Sequence, residues 1–95
     1  MGMSKFFKLI IVTPEEKFFT GDVLSLSCKT TDGSRGILPN HCAMITGLVP
    51  CIANFNDLEG KELKAEITSG ILKVKDNEVI MLCNSAKWIE KGSKE

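Results

Sequence analysis

The sequence predicts an all-β fold, a sandwich or barrel of eight to ten short strands. Three observations lead there. Apolar and polar residues alternate with the two-residue period of a half-buried strand, most cleanly in Leu63-Lys64-Ala65-Glu66-Ile67. Turn signals recur at short intervals, from Thr13-Pro14 through Asp32-Gly33 and Pro39-Asn40 to Asp76-Asn77. No helical period appears before residue 84. Regularly punctuated strands without helices between them are the pattern of sandwiches and closed barrels.

Each element follows in order. Phe6 to Val12 is aromatic and β-branched and is broken by Thr13-Pro14-Glu15-Glu16, so it reads as a first strand and a turn. Phe18-Phe19-Thr20 reads as a short strand ending at Gly21-Asp22. Val23 to Lys29 places Leu24, Leu26 and Cys28 on one face and Ser25 and Ser27 on the other. The stretch from Thr30 to Leu48 is the most heavily punctuated, with three of the eight glycines, one of the three prolines and the only histidine. It reads as a turn at Asp32-Gly33, an apolar step at Ile37-Leu38, a corner at Pro39-Asn40-His41 and a second apolar step from Met44 to Val49. Ordered loops on rigid scaffolds commonly carry function, so a site is expected here. Should Gly36 hold a positive φ, a β-branched residue there would be strongly disfavoured. Cys51, Ala53 and Phe55 share a face, and Asn56 to Gly60 is a hairpin-sized loop before the Leu63–Ile67 strand. Ile71–Val74 and Val79–Cys83 flank Asp76-Asn77, both tolerant of positive φ, and predict a tight hairpin. In the tail, Asn84 or Ser85 could cap a short helical turn over Ala86–Lys91 ended by Gly92, provided that Trp88 or Ile89 docks on the body.

Ninety-five residues make one domain with one modest core. The net charge is zero, which counts against long-range attraction to nucleic acid or anionic lipid. Cys28, Cys42, Cys51 and Cys83 form no C-x-x-C pair, and no secretory signal precedes them. They are expected as reduced thiols in a cytoplasmic compartment, Cys28 and Cys83 buried, with no metal site. No apolar run approaches the roughly 20 residues that span a bilayer.

Candidate chemistry is thin. His41 and Cys42 are neighbours, and neighbours in extended chain point to opposite faces, so a thiol–imidazole pair is not expected. Asp32, Ser34 and His41 have the letters of a triad without a nucleophile elbow or an oxyanion hole. Gly33-Ser34-Arg35-Gly36 has the spacing of an RNA-clamping GxxG loop without its flanking helices. The adjacent pairs Phe6-Phe7 and Phe18-Phe19 carry the best hint. One ring of each pair should face out, and exposed apolar area commonly marks a partner surface.

Several stretches together resemble a known family. Phe7-Lys8-Leu9-Ile10-Ile11-Val12-Thr13-Pro14-Glu15, Phe19-Thr20-Gly21-Asp22-Val23, Thr31-Asp32-Gly33 and Gly36-Ile37-Leu38-Pro39-Asn40-His41 stand in its order. Thr46, Leu48-Val49-Pro50, Ser69-Gly70-Ile71-Leu72-Lys73-Val74 and Asn77-Glu78-Val79-Ile80-Met81-Leu82 complete the match. The chain resembles the N-terminal β-sandwich domain of the epsilon subunit of F-type ATP synthase, over about residues 5–86, with 87–95 a short tail.

That resemblance implies a ten-stranded sandwich of two five-stranded sheets and a rotor subunit without catalysis or cofactor of its own. It implies contact with the gamma subunit through Thr13, His41 and Thr46, and with the c-ring through Ser34 and Arg35. It implies a place at the cytoplasmic face of the bacterial plasma membrane, held there only through the complex, where proton translocation is coupled to ATP synthesis. The chain departs from the family in placing Ser34 and Arg35 where an acidic and an apolar residue are usual. Only about ten residues follow the last strand, so the family's C-terminal helical hairpin is expected to be absent, and nucleotide binding with it. The competing reading is a β-sandwich protein-binding module without a rotor role.

Overall fold

A computed structural model describes residues 4–89. The strands are β1 (Phe7–Val12), β2 (Lys17–Thr30), β3 (Gly33–Ile37), β4 (Met44–Leu48), β5 (Cys51–Asp57), β6 (Glu62–Ile67), β7 (Gly70–Lys75), β8 (Glu78–Cys83) and β9 (Ala86–Trp88). Long β2 organises the molecule. On one edge it pairs with β1 through Lys17–Val23 and then with β3 through Leu26–Thr30; on the other it pairs with β5 and, at Thr30, with β4. One layer runs β1-β8-β7-β4 and returns to β2 at both ends; the other runs β3-β2-β5-β6-β9. This is the predicted all-β sandwich, with nine strands among the described residues against the ten that the resemblance implies.

Alternation puts the core between the layers. Phe7, Leu9 and Ile11 of β1 line one inner face with Leu72 and Val74 of β7 and Val79 and Met81 of β8, and they share one core cluster with Ala53 and Phe55 of β5, all but closed to solvent. Full burial of such side chains is worth about 1.5–3 kcal/mol each. In β2 the inward face is Val23, then Leu26, Cys28 and Thr30. The phase shifts because a bulge between Val23 and Ser25 adds one residue to β2 against β5. Leu24, expected inside with Leu26, is therefore only half-buried.

Three expectations are corrected. The Gly21-Asp22 pair does not end a strand: Gly21 pairs with Leu9, and Asp22 with Lys8, inside β2. Gly21 instead makes room for the Phe19 ring, whose Cζ would lie 3.0 Å from a Cβ there. Gly36 lies within β3, without positive φ and with nothing within 4 Å of a Cβ, so the condition that would bar a β-branched residue there is not met. The tail is a strand, not a helical turn: β9 pairs with β6 from Ala65↔Trp88 to Ile67↔Ala86. Trp88 stacks on Phe18 at 4.6 Å and meets Phe19 and Phe55 at 6.0 Å. Packing that ring on three others favours extended chain over a helix too short to stand alone. The end of the expected helix, residues 90–92, lies outside the described residues.

The turns behave as read. Asp76 and Asn77, at φ 53° and 62°, join Lys75 to Glu78 in a type I′ hairpin. Gly33, at φ 113°, closes the β2–β3 turn. Phe7 is buried and Phe6 exposed, as a paired aromatic should be, whereas Phe18 and Phe19 are both half-buried against Trp88.

Candidate interaction surface

The corner before β4 is pinned by two asparagines. Asn40, at φ 68°, donates its backbone N–H to Asn77 Oδ1 at 2.8 Å and its side-chain amide to Ser4 O at 2.8 Å. Asn77 Nδ2 donates to Phe6 O at 2.7 Å. The β7–β8 turn thus holds the corner from below and sets where His41 stands. His41 Nδ1 lies 2.8 Å from Cys42 O; a carbonyl only accepts, so Nδ1 carries a proton there and Nε2 is left free of this bond. The ring's bond is thus made to the carbonyl of Cys42 and not to its thiol.

The β2–β3 turn carries a second cluster. Thr30 Oγ1 donates to Gly33 O at 3.0 Å and accepts from Asp32 N at 3.1 Å, which fixes Asp32 outward. Thr46 Oγ1 donates to Asp32 Oδ2 at 3.3 Å, and an Arg35 guanidinium nitrogen lies 3.9 Å from the same oxygen. The fold therefore joins Thr46 to Arg35 through Asp32, which the sequence does not mark as a contact residue. Ser34 does not join them. It is paired with Lys29 while Arg35 is paired with Cys28, so the two project from opposite sides of β3.

Thr13 is buried, and its hydroxyl is occupied within its turn, donating to Glu16 O at 3.2 Å and accepting from Glu16 N at 3.3 Å. It lines a cleft of about 400 Å³ with Ile71 and Leu82.

That cleft opens onto the outer face of the β4-β7-β8-β1 layer. Register aligns the outward residues in rows. One row is Gly47, Ile71, Leu82, Val12 and Lys17. The next is Ile45, Lys73, Ile80, Ile10 and Thr20, and a third is Lys75, Glu78, Lys8 and Asp22. Ile45 is 70% exposed, Ile71 48% and Leu82 47%, and Ile10, Val12 and Ile80 between them are half-buried. Contiguous exposed apolar area of this kind makes the face a candidate partner surface. The outer face of the other layer is polar where Ser25, Ser27, Asn54 and Asn56 line up across β2 and β5.

Two of the four thiols, Cys28 and Cys83, are buried and held protonated. Burial, with the Cys51 thiol beside it and Cys83 as a smaller influence, pushes Cys28 up to about 12. Burial, then Cys51, pushes Cys83 up to about 11. Among the described residues no group of three or more His, Cys, Asp or Glu is placed to hold a metal ion.

The chain is thus a β-sandwich with an apolar strip on one outer face and a hydrogen-bonded cluster at its β2–β3 turn. Residues 6–89 match the family model of the ATP synthase delta/epsilon chain β-sandwich domain, and the chain belongs to that family. It is 45% identical over 93 residues to the ATP synthase epsilon chain of Clostridium novyi, covering 98% of this chain and 71% of the relative. It is 42% identical over 83 residues to that of Pelotomaculum thermopropionicum, covering 87% and 61%. Against the Clostridium kluyveri epsilon chain it is 38% identical and spans 65% of the relative's length. The fold matches a chain in the Euglena gracilis mitochondrial ATP synthase OSCP/F1/c-ring structure with a TM-score of 0.86 at 21% identity, covering 93% of this chain and 56% of that one. In the Tetrahymena thermophila central stalk/c-ring structure the TM-score is 0.71 at 18% identity, covering 92% and 69%.

Proposed function

We propose that the chain is a non-catalytic rotor element of the ATP synthase central stalk, binding gamma and the c-ring and helping to couple proton translocation to ATP synthesis. The apolar outer face carries this reading. A domain of this family that lines up exposed Ile45, Ile71 and Leu82 with half-buried Ile10, Val12 and Ile80 across one sheet has a surface fit to lie against a second protein. Gamma is assigned to that face and its border, with Thr13 shaping the adjoining cleft and His41 offering Nε2 at the pinned corner. Thr46 acts through Asp32, presenting the carboxylate. The c-ring is assigned to the exposed β2–β3 turn and β3, with Arg35 the contact and Ser34 on the opposite side. The complex would then hold the domain at the cytoplasmic face of the membrane; no helix among the described residues is long and apolar enough to cross a bilayer.

The test is binding of this chain to gamma and to the c-ring from its own source, measured separately. Leu82→Asp is expected to weaken gamma binding about tenfold or more, because a carboxylate is desolvated at the face. His41→Ala and Thr46→Ala should weaken it less, and Arg35→Ala should reduce ring binding alone. A chain that binds neither partner at micromolar concentration ends the rotor reading.

A further inference from the structure

The outer face of the β1/β8 layer is complementary to itself. In the charged row the order across the sheet is Lys75, Glu78, Lys8 and Asp22, from β7 through β8 and β1 to β2. Charge alternates at each step. Place a two-fold axis in the plane of the face, parallel to the strands and midway between β1 and β8. The row of a second copy then lies over the first in reverse. Lys8 meets Glu78, Glu78 meets Lys8, and Lys75 meets Asp22 at the flanks; every contact joins opposite signs. The axis keeps position along the strands, so apolar rows also meet themselves. Ile10 opposes Ile80, and Val12 opposes Leu82. Lys73 opposes Thr20, and Lys17 can lay its stem over Ile71 with its ammonium in water.

We infer that, when not engaged with another protein, this chain pairs with a second copy of itself through the outer face of β1 and β8, as a two-fold dimer. Two-fold interfaces require this kind of self-complementary patch. Stacked sheets align to within about 30°, so the fit is best beside the axis. The residues nearest it are Lys8, Ile10 and Val12 of β1 and Glu78, Ile80 and Leu82 of β8. The charged row fixes the register, since a shift by one strand puts like charges together. The inference goes beyond the rotor reading. A face occupied by a second copy cannot be occupied by gamma, so pairing would shield the apolar surface until a partner displaces the copy.

Sedimentation equilibrium on the whole chain tests this, with a charge swap as the control. Lys8→Glu sets a new carboxylate against Glu78 of the other copy, twice by symmetry, and Glu78→Lys sets a new ammonium against Lys8. Each variant alone is expected to dimerise roughly tenfold or more weakly than wild type. Mixed in equal amounts they restore opposite charges at both contacts and should recover the dimer at twice the 10.4 kDa chain mass. Each variant keeps its own like-charged neighbours in the mixture, so recovery reads the contact between copies and not repair within one chain. Circular dichroism verifies folding, and Lys75→Glu mixed with Asp22→Lys repeats the test should either first variant fail to fold. A wild-type chain that stays monomeric through the micromolar range overturns the inference, as does a folded mixture that stays monomeric or a dimer untouched by Leu82→Asp. Gamma binding is measured on the same preparations. Binding by a chain that never dimerises removes this inference alone, and a dimer that ignores gamma removes the rotor reading alone.

Discussion

At residue scale the informative positions are the glycines that look alike in sequence and differ in the fold. A Cβ on Gly70 would fall on the carbonyl oxygen of Leu82, with the Leu82 carbonyl carbon 2.8 Å and Cys83 Cα 2.9 Å away. These are backbone atoms of the paired strand and cannot swing aside. Gly70→Ala should cost about 1–3 kcal/mol and lower the melting temperature by at least about 4 °C. Gly36 has open space around it and ordinary strand geometry. Gly36→Val should leave stability within about 0.5 kcal/mol of wild type or raise it, since glycine weakens a strand interior. Thermal melts of the two variants side by side check both. Sequence does not tell the two glycines apart, because it cannot reveal which backbone a Cβ would strike.

At the scale of elements, β9 shows how tertiary context overrides local preference. Ser85-Ala86-Lys87-Trp88 carries a plausible cap and helix formers, yet it pairs with β6 and places Trp88 on Phe18, Phe19 and Phe55. The strand is only three residues long, so the ring supplies most of its hold. Trp88→Ala should cost about 1–3 kcal/mol for lost aromatic packing and half-burial. The loss is read as a lower urea midpoint, with earlier exchange of the Ile89 amide that donates to Lys64 O at 3.1 Å. An unchanged midpoint would show that β9 is held by its ladder alone. The opposite case is the β7–β8 hairpin. Two residues tolerant of positive φ between alternating runs leave one register, and the turn is where the sequence predicts it.

At the scale of the molecule, one core between two layers couples distant residues to a single unfolding equilibrium. Cys28 of β2 and Cys83 of β8 both face that core, and burial holds both as thiols, at about 12 and about 11 against an ordinary 9.0. Above pH 9 the unfolded chain releases these protons while the folded chain keeps them. The folded state then binds more protons, and stability must fall as pH rises. Stability is expected to be flat in this respect below pH 9 and to decline from there toward pH 12, as these values require. Cys28→Ala/Cys83→Ala should lose part of the decline, measured by urea denaturation at stepped pH. Both thiols should alkylate far more slowly than exposed Cys42 in the native state.

The sequence by itself determined the fold class, most strand positions, the burial of Cys28 and Cys83, and the family. These follow from period-two alternation, from residues with special backbone freedom, and from runs of residues long enough to match; all are properties of neighbours along the chain. Only the tertiary structure decided that Gly21-Asp22 continues a strand, that the tail extends along β6, and that Asp32 bridges Thr46 and Arg35. It also decided that Asn77 holds the corner beside His41, and that apolar residues from four strands meet on one outer face. Each of these depends on which strand lies beside which. Local pattern says which way a side chain points from its own strand, and register across strands says what it meets there.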